Sequence, residues 1–226
     1  MNLSERNLSP TTRNYPKLTL FAIMGLMTLL VFGYEVYLAL YVPASLTRLL
    51  SMKWLLFPHI LFATTAFVVG PFQFSTRLRR RKMALHRRLG KAYVFSILFA
   101  APFAFAITCV YPPKNINFLI ENLVQATIWL LTTVVAWLAV RNKQIELHKI
   151  WMARSYGVTF IFVLSRVFAP LPFMRQMSAE SAVSFFWFLI VFALLVPELL
   201  LNGTVLITGH PRKTLSRSRT PETARI

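Results

Sequence analysis

Cysteine, glycine and negative charge are all scarce in this chain. A single cysteine, Cys109, excludes an intramolecular disulfide and a cysteine-based metal cluster. The seven glycines form no Gly-rich loop of the kind that cradles phosphate, and no HExxH or His-x3-His spacing points to zinc. Only 7 residues are acidic, against 25 Lys and Arg. Charged residues make up 14% of the chain, well below the roughly one quarter usual in soluble domains. A formal charge of +18 would suit a nucleic acid if the positives formed one face. They are instead gathered between long apolar runs, the pattern of membrane topology, and anionic lipid is their expected counterpart.

What is abundant is hydrophobic residue, 56% of the chain, in six runs: 18–38, 54–74, 89–110, 118–140, 151–170 and 182–207. About 20 apolar residues cross the hydrocarbon core of a bilayer as a helix. The runs lack the two-residue alternation of a membrane β-barrel. The expected fold is therefore an all-α integral membrane protein with six transmembrane helices, built as a bundle whose four-helix core is spans two to five. Residues 1–17 are expected as a cytoplasmic N-terminal arm, 18–207 as the transmembrane domain and 208–226 as a basic cytoplasmic tail. The first run is too long for a signal-peptide core, and no small-residue cleavage site follows it, so a retained anchor is expected. The dense basic run Arg77–Tyr93 is expected as a loop, because its charges cannot lie in hydrocarbon. The stretches 1–17, 77–91, 141–149 and 208–226 carry 3, 8, 3 and 5 Lys and Arg, while the intervening connections carry only Arg48, Lys53, Lys114 and Arg175. This asymmetry puts both termini in the cytoplasm.

Polar residues inside the runs are costly and therefore informative. In the second span His59, Ala63, Ala66, Gly70 and Gln73 share one helical face. Such a small face suits close helix packing, or a ligand groove with His59 and Gln73 near its two ends. In the fifth span His148, Met152, Ser155, Thr159 and Arg166 form a second stripe, with Arg154 beside it. Depth suggests partners: Glu35, His59 and Arg166 as a cluster near the outer surface, and Arg154 with Glu198 as an ion pair in the inner half. Structural ion pairing and snorkelling account for the same residues.

His86 and His148 both fall in basic inner segments, at similar depth, with Arg87, Arg88 and Arg154 nearby. Neutral imidazole is an axial ligand for haem iron, and arginines suit haem propionates. The pair is thus a candidate haem b site, with solvated loop histidines as the plain alternative. His59 has no histidine partner at its own depth.

The combination of GPFQF (Gly70–Phe74), LHRRLGKAY (Leu85–Tyr93), the His148–Tyr156 segment HKIWMARSY and the following Arg166 resembles the predicted membrane-protein family catalogued as domain of unknown function 2306. The resemblance covers about residues 54–168. It implies a multi-pass protein of bacterial type, hence of the plasma (bacterial inner) membrane, and it draws attention to His59, Gln73, His86, His148, Arg154 and Arg166. A more distant analogy, at the level of histidine-bearing four-helix cores, is to transmembrane haem b cytochromes and ferric-reductase-like domains. The expectation for function is a haem b- or quinone-linked membrane redox protein, in contact with the lipid bilayer and a quinone or redox partner. The alternatives are a proton-coupled small-molecule transporter and an assembly or scaffold subunit of a membrane complex.

Overall fold

The computed structural model describes residues 15–208, with side chains described from 22 to 199 except those of 35, 39, 44 and 45. Nearly all of the expected N-terminal arm and of the basic tail lies outside the described residues. The described elements are all helices: α1 (Tyr15–Tyr41), α2 (Pro43–Ser51), α3 (Lys53–Gln73), α4 (Thr76–Arg81), α5 (Met83–Val110), α6 (Ile116–Arg141), α7 (Ile145–Phe168), α8 (Pro172–Gln176) and α9 (Ala179–Thr208). Helices are the solution expected of apolar runs, because hydrocarbon offers backbone groups no external partner.

Four of the helices, α3, α5, α6 and the Ala179–Leu199 part of α9, are long and apolar enough to cross a membrane. The apolar stretch of α1, Ala22–Leu38, is shorter. Arg154, Arg166 and a hydroxyl-bearing face make α7 more polar than these four. Large apolar side chains such as Trp54, Leu61, Phe95 and Leu131 cover the outside, as a lipid-facing surface requires.

The basic run is not a loop. Arg77–Arg81 belongs to α4, capped by Ser75, whose Oγ accepts the Leu78 N–H at 3.2 Å. After a break at Lys82, Met83–Lys91 forms the opening turns of α5. Charge keeps this run out of hydrocarbon, but Arg, Lys, Leu, Met and Ala are all good helix formers. The second basic connection likewise contracts to a turn at Asn142–Gln144, with Lys143 at φ 60°. His148 consequently lies in the first turn of α7.

α3 packs on α5, α5 on α6, α6 on α7, and α7 returns to α3, closing a four-helix ring with α5 and α7 on one diagonal. α9 lies against α7 and α6, and α1 against α7. Fully buried Ala66, Ala100 and Ala136 let the helices approach closely. Prolines inside helices release carbonyls, because Pro has no N–H for the residue four before it. Pro71 releases Phe67 O, which accepts from the Tyr156 hydroxyl at 3.4 Å. Pro197 releases Ala193 O, which lies against Gly157 of α7.

Candidate functional site

The polar residues of the ring gather at the basic end of the core and along the diagonal behind it. His86 and His148 stand near the starts of α5 and α7. The His148 Nδ1 lies 2.8 Å from Ala136 O on α6. A carbonyl only accepts, so Nδ1 carries a proton, and in the neutral ring Nε2 is the atom with the lone pair. His86 Nδ1 is buried with no hydrogen-bond partner. Arg79, His148 and Arg87 are all within electrostatic reach of the His86 ring. The two imidazoles thus stand at the same end of the ring, on opposite corners.

Seven residues further along each helix, on the same faces, stand Tyr93 and Ser155. These two meet directly, Tyr93 Oη to Ser155 Oγ at 2.9 Å, and Tyr93 also lies 3.2 Å from Thr159 Oγ1. Thr133 Oγ1 of α6 is 2.7 Å from Ser155 Oγ, and the Trp129 indole N–H donates to Thr159 Oγ1 at 2.8 Å. Thr133 donates to Trp129 O at 2.7 Å and Thr159 to Ser155 O at 2.9 Å. A single assignment of protons satisfies every hydroxyl: Tyr93 and Trp129 donate into the cluster, Ser155 donates to Thr133, and the two threonines discharge into backbone carbonyls. With every donor used, the cluster is a clasp joining α5, α6 and α7.

Towards the other end, His59 Nδ1 bonds Ala100 O at 2.9 Å, and its ring meets Trp129 edge-on with centroids 6.5 Å apart. The same donor argument leaves His59 Nε2 with its lone pair. Glu121 of α6 is 3% exposed, and its Oε1 has no hydrogen-bond partner.

The small face of α3 receives aromatic rings. Tyr156 lies over Gly70, and Tyr93 Cε2 would be 3.3 Å from a Cβ placed there. Gln73, at the basic end of the same face, lies beside Gly90, with Oε1 3.2 Å from the position of a Cβ. Arg154 turns to α9: Nε donates to Leu194 O at 3.2 Å, Nη2 pairs with Glu198 Oε2 at 3.0 Å, and the guanidinium stacks 4.9 Å above Trp151. It is thus engaged with α9 and Trp151 instead of with His86 or His148. Arg166 lies over Phe162 and lines a cavity of about 220 Å³ with Tyr34, Leu38 and Arg175, whereas His59 faces α5 and α6. The side chain of Glu35 lies outside the described residues.

Sequence reasoning overlooked α6. Glu121, Trp129 and Thr133 all lie in its apolar run, and a lone carboxylate there is itself the signal. Among the described residues no group of three or more His, Cys, Asp or Glu could hold a metal ion, a test that does not bear on a pair of haem ligands.

A family model described as "Predicted membrane protein (DUF2306)" matches residues 56–201, so the chain belongs to that family. No curated protein and no solved structure matches it.

Proposed function

We propose that this member of the DUF2306 predicted membrane-protein family is a six-span redox protein of the plasma membrane, with both termini cytoplasmic. In this reading a b-type haem would be held at the basic end of its core by the imidazoles of His86 and His148. The observation that carries the proposal is the placing of these two histidines on the diagonal helices, two turns from residues that already meet across the same diagonal. The residues fit the group: His148 is held in one tautomer by Ala136 O with Nε2 available, the arrangement common to iron-bound imidazoles. Haem supplies one-electron transfer, with a membrane quinone as the natural partner. The chain's own contribution is to orient the imidazoles, to present Arg87 and Arg88 to carboxylates, and to tie α5 to α7 two turns behind them through Tyr93 and Ser155.

The test is a reduced-minus-oxidised spectrum of the purified protein with pyridine haemochrome quantitation. A stoichiometric b-type signal, lost in both His86→Ala and His148→Ala, is expected. Absence of haem after expression in haem-sufficient cells removes the proposal. Orientation is tested separately in a Cys109→Ser background: an impermeant maleimide applied to intact cells should label Lys114→Cys and spare Arg81→Cys.

A second reading, a proton-coupled carrier, is favoured by the buried Glu121 and by the free lone pair of His59. It predicts that Glu121→Gln abolishes substrate movement and leaves any optical spectrum unchanged.

A further inference from the structure

Two buried nitrogens at the basic end of the core have nothing to bond. Gln73 Nε2 and His86 Nδ1 both lack a hydrogen-bond partner, and Gln73 is only 8% exposed. They belong to one place. The Gln73 amide lies beside Gly90 through its Oε1, leaving Nε2 as the unpartnered donor, and Gly90 is one turn beyond His86 on the same face of α5. Arg79, partly buried on α4, is within electrostatic reach of the His86 ring. The chain has no acidic residue between Glu35 and Glu121, so α2–α5 supply no carboxylate to these donors. The nearest acidic residue of α7 in sequence to His148, Glu146, is 75% exposed and paired with Lys149 at 2.6 Å. Amide, imidazole and guanidinium thus belong to one end of the core, where among the described residues α2–α5 offer them no carboxylate.

We propose that Gln73, His86 and Arg79 form an oxyanion site that takes a phosphate-type group, from either an anionic lipid headgroup or free phosphate. Such a group offers several acceptor oxygens at once and pairs with a guanidinium in two-pronged fashion. The site is independent of the haem proposal, since an imidazole bound to iron through Nε2 still presents its Nδ1 proton to a neighbour.

The experiment uses the full-length, delipidated protein in neutral detergent, titrated calorimetrically with inorganic phosphate and, separately, with dioctanoyl phosphatidylglycerol. Saturable binding of at least one probe is expected. Gln73→Leu should weaken it about tenfold or more, the value of a hydrogen bond to a charged group. Arg79→Gln, on a surface helix, should weaken it comparably, whereas the exposed Arg81→Gln should leave it unchanged. Lipid binding without phosphate binding assigns the site to a headgroup, and binding of both assigns it to the phosphate itself. No saturable binding of either probe overturns the proposal, as does wild-type affinity in Gln73→Leu and Arg79→Gln. Because the readout is anion binding, haem-free protein that binds phosphate upholds this site while removing the haem.

Discussion

Replacing Gly157 by alanine should push α7 and α9 apart. A Cβ at Gly157 would lie 2.7 Å from Ala193 O and 3.4 Å from Ala193 Cβ. The obstructing atom is backbone and cannot rotate away. Restoring an ordinary contact of 3.4 Å requires α9 to retreat by about 0.7 Å. Overpacking of this kind costs about 1–3 kcal/mol. The retreat also stretches the Arg154–Leu194 and Arg154–Glu198 bonds, now 3.2 and 3.0 Å, on the same interface. Their weakening adds about 1 kcal/mol, and the better helix propensity of alanine returns about 1 kcal/mol. The expected net loss is about 2 kcal/mol. The assay is thermal unfolding in detergent, compared with Gly33→Ala in α1, where a new Cβ meets nothing within 4 Å. That control keeps the propensity gain without the clash and should be neutral or stabilising. If Gly157→Ala melts as high as Gly33→Ala, the close approach of Ala193 O to α7 is not a feature of the protein.

Tyr93→Phe keeps the ring and removes one hydroxyl from the clasp, so a loss of about 1 kcal/mol is expected in the same melt; an unchanged melt would show that α5 is not tied to α7 there. Lys143 holds φ at 60° in the α6–α7 turn, and Lys143→Gly should raise stability by about 0.5–1 kcal/mol, with a lower melting temperature counting against that backbone conformation. Arg154→Ala should be more harmful than Glu198→Gln, because Arg154 also bonds Leu194 O and stacks on Trp151; partial exposure of the pair limits the ionic share, and equal losses in the two variants would leave the ion pair as the whole effect.

Much of the fold could be read from the chain because hydrocarbon imposes severe rules. Apolar length marks α3, α5, α6 and α9, and the basic segments place His86 and His148 near the same end. The same rules misled for Arg77–Lys91: exclusion from hydrocarbon says nothing against a helix, and these residues form α4 and the start of α5. The hydroxyls of Thr133 and Thr159 went unrecognised as partners because periodicity assigns a face, not the neighbour that face meets. Which two helices share a diagonal is a property of packing, absent from any local pattern. The released carbonyls of Phe67 and Ala193 were implicit in Pro71 and Pro197, but the residues that approach them, Tyr156 and Gly157, come from a distant helix.

The Tyr93–Ser155 contact also gives the molecule a floor. Two turns beyond His86 and His148, roughly 10 Å along the helices, α5 and α7 are tied together by hydroxyls, so no guest passes between them at that depth unless the contact opens. A carrier built on this frame must part Tyr93 from both Ser155 and Thr159 in every cycle and then restore the bonds, whereas a protein that keeps its guest gains a fixed depth at which to hold it.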